Sequence, residues 1–358
     1  MTLPPYDFDS RLASARTLPS TYYFDPAILE IEQKTVFAHS WQLVGRRDQL
    51  LSPGSYFTTT VGHEPLLIVH GQDGMIRALS NVCRHRAGPV AQGAGTRARF
   101  RCGYHGWTYS NDGCLLQAPE FEGVENFEPD NVRLPEFQLE IWNDLVFVNL
   151  SAKGPTLMEA LGELPSRING SFGGYRLAAR KEWDLECNWK VYVDNYLEGY
   201  HIPIVHPSLM RELDYANYKT ETGRYFSIQH SPIRNPDRLR TADGASSEAQ
   251  YFWLFPNLML NVYPDNFSTN LIVPLSAERT RTVFEWFFAD GSGNGSEVDE
   301  TVAFSDEIQI EDIEICEAVQ RGLRSPTYST GRYSVARENG VHHFHGLLSE
   351  FFGKHGAA

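Results

Sequence analysis

Long apolar runs are missing from this chain. Nowhere do about 18 hydrophobic residues follow one another, so no segment is suited to cross a bilayer as a helix. Met1 to Asp25 is polar and proline-containing and lacks the apolar stretch of a secretory signal, which sets the expectation of a cytoplasmic protein. Positive charge is also in short supply. Thirty-one Lys and Arg against forty-five Asp and Glu leave a net charge of −14, which repels phosphate backbones and anionic lipid. Nucleic-acid and membrane partners are therefore not expected, while a basic or amphipathic redox partner is compatible with the charge. A nucleotide-binding loop is absent as well. Gly291-Ser292-Gly293-Asn294-Gly295-Ser296 has spaced glycines, but no apolar strand leads into it, and it reads as a flexible turn. Of only five cysteines, Cys114, Cys187 and Cys316 have no metal-ligand partner beside them and read as buried thiols.

The other two cysteines sit in a pattern. Cys83-Arg84-His85 and Cys102-Gly103-Tyr104-His105 offer two Cys and two His, with sixteen residues between the inner ligands. Thiolates can hold one iron while neutral imidazoles hold the other, the arrangement of a Rieske [2Fe-2S] centre. Exchanging two anionic thiolates for imidazoles raises the potential to roughly −150 to +300 mV, within reach of a cellular electron carrier. A Cys2His2 zinc site would use the same residue types, but short zinc modules usually carry Cys-Cys and His-His pairs instead of two mixed ones. Gly88-Pro89, Gly103 and Gly106 suit tight loops whose N–H groups point at sulfur.

A length of 358 residues, 42% of them hydrophobic, predicts two domains. From Trp41 to Leu150 short β segments alternate with turns: Ser55 to Val61, Pro65 to His70, Ile76 to Asn81 and a final strand from Ile141 to Leu150. Ser151 to Pro155 reads as a linker. Beyond it the pattern predicts a helix over Cys187 to Tyr200, stopped by Pro203. Strands are expected at Tyr251 to Met259, Thr269 to Pro274 and Val283 to Phe288, then a helix from Val298 to Arg321 closed by Gly322.

A second iron chemistry is written into Glu198-Gly199-Tyr200-His201 followed by His206. Two His and one carboxylate on a single face, with open positions opposite, suit a mononuclear Fe(II) oxygenase. Five residues apart, the two His would lie about 140° round an unbroken helix, so they can share a metal only if the helix ends between them. Pro203 and Pro207 are read as that break. Glu198, three residues before His201, is placed to hydrogen-bond an imidazole. For the third ligand, periodicity selects Asp312, grouped with Ile308, Ile315, Cys316 and Val319, and assigns Glu311, Glu307 and Glu314 to a solvated face. His342-His343-Phe344-His345 cannot converge on one metal and is assigned surface or packing roles.

With those residues in place, the chain resembles the catalytic α subunits of Rieske-type non-haem iron ring-hydroxylating oxygenases over nearly its whole length. Within them it is similar to the choline, carnitine and glycine betaine monooxygenase group. The likeness lies in Glu186-Cys187-Asn188-Trp189-Lys190, Asp194-Asn195-Tyr196-Leu197, Glu311-Asp312, Cys316 to Leu323, Gly331-Arg332-Tyr333 and Gly340 to His345. The resemblance implies an α+β protein: an N-terminal segment (1–40) packing on the catalytic domain, an all-β Rieske [2Fe-2S] domain (41–150), and a helix-grip, START-like catalytic domain (151–358) with a large antiparallel sheet. It implies a homotrimer in which Glu198 bridges His201 to a cluster His, His105, of the adjacent subunit.

The resemblance also implies a terminal oxygenase. With no flavin or nicotinamide fingerprint, its electrons come from a separate NAD(P)H-dependent reductase or ferredoxin. O2 and a small molecule would be the substrates, and Tyr251, Trp253 and Tyr263 are candidates for caging a quaternary ammonium by cation–π attraction. Hydroxylation or O-demethylation of an aromatic compound is the alternative chemistry, and a Rieske electron carrier the non-enzyme alternative.

Overall fold

The computed structural model describes residues 6–168, 174–232, 248–263, 266–289 and 295–355. The chain divides into two compact units, residues 37–157 and residues 1–36 with 158–358. The glycine-spaced turn expected at Gly291 to Ser296 falls largely outside the described residues, in 291–294, and Gly295 opens the long helix Gly295–Leu323.

The smaller unit is all β. Seven antiparallel strands run in the order Gln42–Arg46, Leu145–Asn149, Glu136–Trp142, Ile76–Ser80, Glu64–His70, Ser55–Val61 and Ala94–Thr96. A three-stranded sheet of Arg99–Arg101, Thr108–Ser110 and Leu115–Gln117 completes it. The single strand expected from Ile141 to Leu150 is instead a hairpin. Asn143 and Asp144 both have positive φ, 49° and 63°, the turn that Asn and Asp tolerate best, and it reverses the chain between Trp142 and Leu145. One core cluster of this unit gathers Cys83, Cys102, Trp107 and Tyr109 with Val69, Leu79 and Phe100.

The larger unit is built on seven antiparallel strands ordered Tyr175–Leu185, Arg279–Ala289, Asn266–Ser276, Leu258–Val262, Glu248–Leu254, Phe226–Pro232 and Lys219–Thr222. One expectation is corrected here, and one strand has no counterpart in the sequence pattern. The stretch Tyr251 to Met259 is split into two strands by a turn at Phe255-Pro256-Asn257, as a proline without an N–H requires. Tyr175–Leu185 is an edge strand too polar to stand out, with Arg176, Arg180, Lys181, Glu182 and Asp184 along it.

Helices Trp189–Tyr196, Gly295–Leu323 and Asn339–His355 also belong to this unit. The helix Pro26–Thr35, capped by Asp25, joins it through a fully buried ion pair. Lys190 Nζ donates to Glu32 Oε1 at 2.6 Å, and Trp189 Nε1 donates to Glu32 Oε2 at 2.8 Å. His345, from the His-rich run, is also fully buried. It bonds Tyr333 at 2.6 Å and Asp194 at 3.0 Å, a packing role.

Candidate metal centres

The two Cys/His segments fold into near-equivalent loops. Cys83 N–H donates to Gly88 O at 2.8 Å and Ala87 N–H to Cys83 O at 3.0 Å. Nineteen residues on, Cys102 N–H donates to Trp107 O at 2.9 Å and Gly106 N–H to Cys102 O at 3.1 Å. The fourth residue after each Cys is left-handed, with φ of 55° at Ala87 and 76° at Gly106. At Gly88 space decides, because a Cβ there would stand 3.1 Å from Cys102 Sγ.

These loops bring all four predicted residues together. Cys83 and Cys102 are buried, and the rings of His85 and His105 lie edge to face with centroids 4.6 Å apart. Trp107 stacks on His85 at 5.1 Å. His85 Nδ1 is buried with no hydrogen-bond partner, as expected of a nitrogen whose lone pair is kept for a metal. Burial raises the Cys102 pKa; N–H groups of Tyr104 and His105 offset it in part and the Cys83 sulfur adds to it. A neighbouring pair of sulfurs and a neighbouring pair of imidazoles, carried on two facing loops, fit the two irons of a Rieske cluster.

Tyr109 was not singled out by its sequence. Its hydroxyl accepts Arg84 N–H at 3.0 Å and lies 3.3 Å from Cys83 Sγ. Burial, and then the bond to sulfur, raise its pKa, so it stays a phenol and donates to the thiolate. Hydrogen bonds to sulfur stabilise the reduced, more negative cluster. Tyr109→Phe is therefore expected to keep the visible spectrum and lower the midpoint potential by roughly 40 mV, taking ~1 kcal/mol for the bond and ~59 mV per tenfold for one electron. A spectroelectrochemical titration that finds no change would remove the role.

The second constellation forms in the larger unit. His201, His206 and Asp312 each offer a ligand atom, and those atoms all lie within 4.8 Å of one another. Asp312 Oδ1 is 3.1 Å from His206 Nε2 and 3.9 Å from His201 Nε2. The route to this geometry differs from the expected one. The helix does not run to Tyr200; it ends at Tyr196, and Glu198 to Tyr200 is a turn. Pro203 and Pro207 are not stops but starts, in the first turns of Ile202–Val205 and Pro207–Glu212, where a missing N–H costs nothing. His201 and His206 thus flank a single helical turn. Glu198 reaches His201 through the turn, with Oε1 2.7 Å from Nδ1 and Oε2 accepting the N–H groups of Tyr200 and His201.

Glu311 also departs from expectation. It is not on a purely solvated face: its Oε2 accepts from His206 Nδ1 at 2.7 Å. Neighbours on a helix are only about 100° apart, so Asp312 and Glu311 can straddle one site. Val319, grouped with Asp312, is exposed. Asn195 Nδ2 donates to Asp312 Oδ1 at 2.6 Å and fixes the carboxylate. Burial opposes a charged His206, but Asp312 and then Glu311 outweigh it and raise its pKa. The site is therefore built to hold positive charge. Both imidazoles present Nε2 inward with Nδ1 held by a carboxylate, the donor set of a mononuclear Fe(II) site.

A cavity of about 640 Å³ opens on these residues. Tyr251 and Tyr263 line it, their hydroxyls 3.3 Å apart. Trp253 does not. It lies on the same face of its strand, but Phe344 of Asn339–His355 covers it at 5.3 Å and its Nε1 donates to Pro256 O. The inward positions of Asn266–Ser276 are Asn266, Ser268 and Asn270, so the sheet gives the cavity a polar floor. Burial raises the pKa of Tyr192, Tyr196, Tyr218 and Tyr251, leaving neutral phenols.

Residues 40–128 match the Rieske [2Fe-2S] domain family, and residues 172–353 match the family described as ring hydroxylating alpha subunit (catalytic domain). This chain belongs to the Rieske-type ring-hydroxylating oxygenase α subunits. The oxygenase is 36% identical to the chloroplastic choline monooxygenase of Arabidopsis thaliana, over 96% of this chain and 85% of that one. It is 30% identical to the carnitine monooxygenase oxygenase subunit of Escherichia coli (strain K12), over 97% of each. The solved quaternary ammonium Rieske monooxygenase CntA with L-carnitine superposes with a TM-score of 0.85 at 28% identity, covering 98% of this chain and 99% of that one. The protein is thus a Rieske oxygenase, an α+β, helix-grip chain that uses a [2Fe-2S] cluster and a mononuclear iron. It is the oxygenase subunit of a multicomponent system, taking electrons from a reductase and acting on a small molecule. Among the described residues no helix is long and apolar enough to cross a membrane.

Proposed function

We propose that this oxygenase hydroxylates a small quaternary ammonium or N-methyl compound of the choline, carnitine or betaine type. The polar floor of the cavity carries this reading. An inward strand face normally supplies apolar side chains, and a flat hydrocarbon would gain nothing from the polar groups of Asn266, Ser268 and Asn270. Asn270 Oδ1 is already buried without a hydrogen-bond partner, an amide waiting for a polar substrate group. The rings of Tyr251, Tyr263 and Trp286 offer cation–π faces at ~0.5–2 kcal/mol each. Glu297 and Glu300 add negative potential, and no Arg or Lys lines the cavity among the described residues.

In this reading Cys83, Cys102, His85 and His105 hold the cluster, and His201, His206 and Asp312 the single iron. When bound, that iron supplies O2 activation, one oxygen entering a substrate C–H bond and the other leaving as water. Glu198 and Glu311 accept from the Nδ1 atoms of His201 and His206, which fixes each tautomer and keeps Nε2 turned inward. Hydroxylation of an N-methyl carbon gives a hemiaminal that releases formaldehyde; hydroxylation of an alcohol carbon gives an aldehyde. Residues 41–150 form the electron-accepting domain and 151–358 the catalytic one, with the segment 1–40 packed on the latter. The subunit works in the cytoplasm as a homotrimer, away from membranes, with a reductase or ferredoxin drawing on NAD(P)H.

Exposed apolar side chains support copy-to-copy contact. Tyr104 is 58% exposed beside His105, and Tyr200 and Ile204 are 57% and 84% exposed around His201. Glu198 would then bridge His201 to His105 of the next subunit. Glu198→Gln should keep both irons yet slow turnover by roughly 10–100-fold. Undisturbed turnover would end the bridging role.

The test of function is single turnover: the protein is reduced without oxygen, then given O2 with choline, carnitine, betaines, tertiary amines or simple aromatic acids. Formaldehyde or an aldehyde from an ammonium compound is expected. Product from the aromatic acids alone would transfer the protein to aromatic hydroxylation, and cluster oxidation without any product would leave an electron carrier.

A further inference from the structure

Between Asp73 and Asp112 there is no Asp or Glu, yet six arginines, in a chain of net charge −14. Arg77 is engaged by Asp73 and Glu136. The other five, Arg84, Arg86, Arg97, Arg99 and Arg101, are all exposed, and none has a carboxylate partner among the described residues. In other parts of the chain Arg46, Arg167, Arg224, Arg281 and Arg324 are held by carboxylates. Exposed guanidinium groups lying close together repel one another, so leaving five unpaired has a cost that an unused surface would not retain.

Their position gives the reason. Arg84 and Arg86 bracket His85, and Arg101 precedes Cys102. Arg97 and Arg99 flank the joint between the edge strands Ala94–Thr96 and Arg99–Arg101, the former exposed throughout. Arg86 lies over Tyr104 and Arg97 over the Tyr56 ring, each at 5.4 Å, which holds the two side chains in place. The neighbouring loop has the opposite sign: Glu120, Glu122, Glu125 and Glu128 are exposed on the segment whose Phe121 packs against His85 at 5.6 Å. A partner meets a basic face with an acidic rim, which fixes its orientation as well as attracting it.

We propose that Arg97, Arg99 and their neighbours dock the acidic face of the protein that reduces the cluster, a one-electron carrier presenting clustered carboxylates. The proposal rests on the reading that electrons arrive from a separate protein, and it reverses the basic partner that net charge alone permits. The carrier gives up one electron and the cluster gains it. The overall charge of −14 disfavours an acidic carrier on the surface at large, so this face, which carries the cluster loops, steers the encounter toward them.

The test needs no organic substrate, so it stands or falls apart from the ammonium reading. Purified holoprotein is titrated with an acidic plant-type [2Fe-2S] ferredoxin, and bleaching of the Rieske absorbance is followed by stopped flow with reduced ferredoxin or with methyl viologen radical cation. Wild-type binding should weaken roughly tenfold or more between about 20 and 500 mM salt. The double variant Arg97→Glu/Arg99→Glu should raise the ferredoxin Kd and slow ferredoxin-driven bleaching roughly tenfold or more, leave bleaching by the small cation unslowed, and keep the native mass. Arg97→Lys/Arg99→Lys should restore most of both. Salt-independent or undetectable ferredoxin binding, or unchanged behaviour of the Glu variant, would overturn the proposal. So would loss of the native mass, which would assign the arginines to a contact with a second copy.

Discussion

Asp312→Ala should leave the visible spectrum of the cluster intact while the mononuclear iron and turnover are lost. Changes to groups that only support a ligand already cost roughly 10–100-fold, so removing a ligand should exceed that range. The carboxylate is also the hub of its surroundings, bonding Asn195 at 2.6 Å and facing His206 at 3.1 Å. Iron analysis should then find the two cluster irons alone. Wild-type iron and turnover would move the ligand elsewhere, and the geometry offers Glu311, whose Oε2 already lies 2.7 Å from His206 Nδ1. Asp306 is turned toward Lys181, which takes its Oδ2.

The largest stability effect is expected far from either metal centre. Lys190 and Glu32 are both fully buried, and burial pushes the carboxyl pKa up and the amine pKa down, each toward its neutral form. Their mutual attraction holds the pair together. Lys190→Met keeps the volume but strands Glu32 with only the Trp189 N–H, so the loss should be ~3–5 kcal/mol in chemical unfolding. A companion change, Glu32→Leu with Lys190→Met, should recover much of it, since an apolar pair avoids the desolvation penalty. A loss below about 1 kcal/mol in the single variant would mean that water reaches the site.

The metal centres were far more legible in the sequence than the fold around them. Cys83 with His85, and Cys102 with His105, are local pairs whose spacing is itself the chemistry. Asp312 could be chosen only by periodicity, and periodicity misjudged its neighbours Glu311 and Val319, because it sees one helix and not what packs on it. His206 was the missing clue for Glu311, since a ligand imidazole needs a partner for its second nitrogen. Pro203 was misread in direction: proline forbids the middle of a helix but favours its first turn. Asn143-Asp144 was lost inside an apolar run, although Asn and Asp are the residues that turn a chain there. Trp253 shares a strand face with Tyr251, and only the distant helix Asn339–His355 decides which of them meets the cavity.

Both imidazoles of the proposed iron site are oriented by the protein itself, their Nδ1 atoms tied to Glu198 and Glu311 and their Nε2 atoms near Asp312. A set of two nitrogens and a carboxylate is open to many ions. Divalent affinity for such ligands rises through the first-row series to copper, with zinc also above ferrous iron, and nothing in the donor set inverts that order. Occupancy by iron is therefore a matter of supply: cells, or expression cultures, rich in zinc should yield protein with a full cluster spectrum and an inert second site.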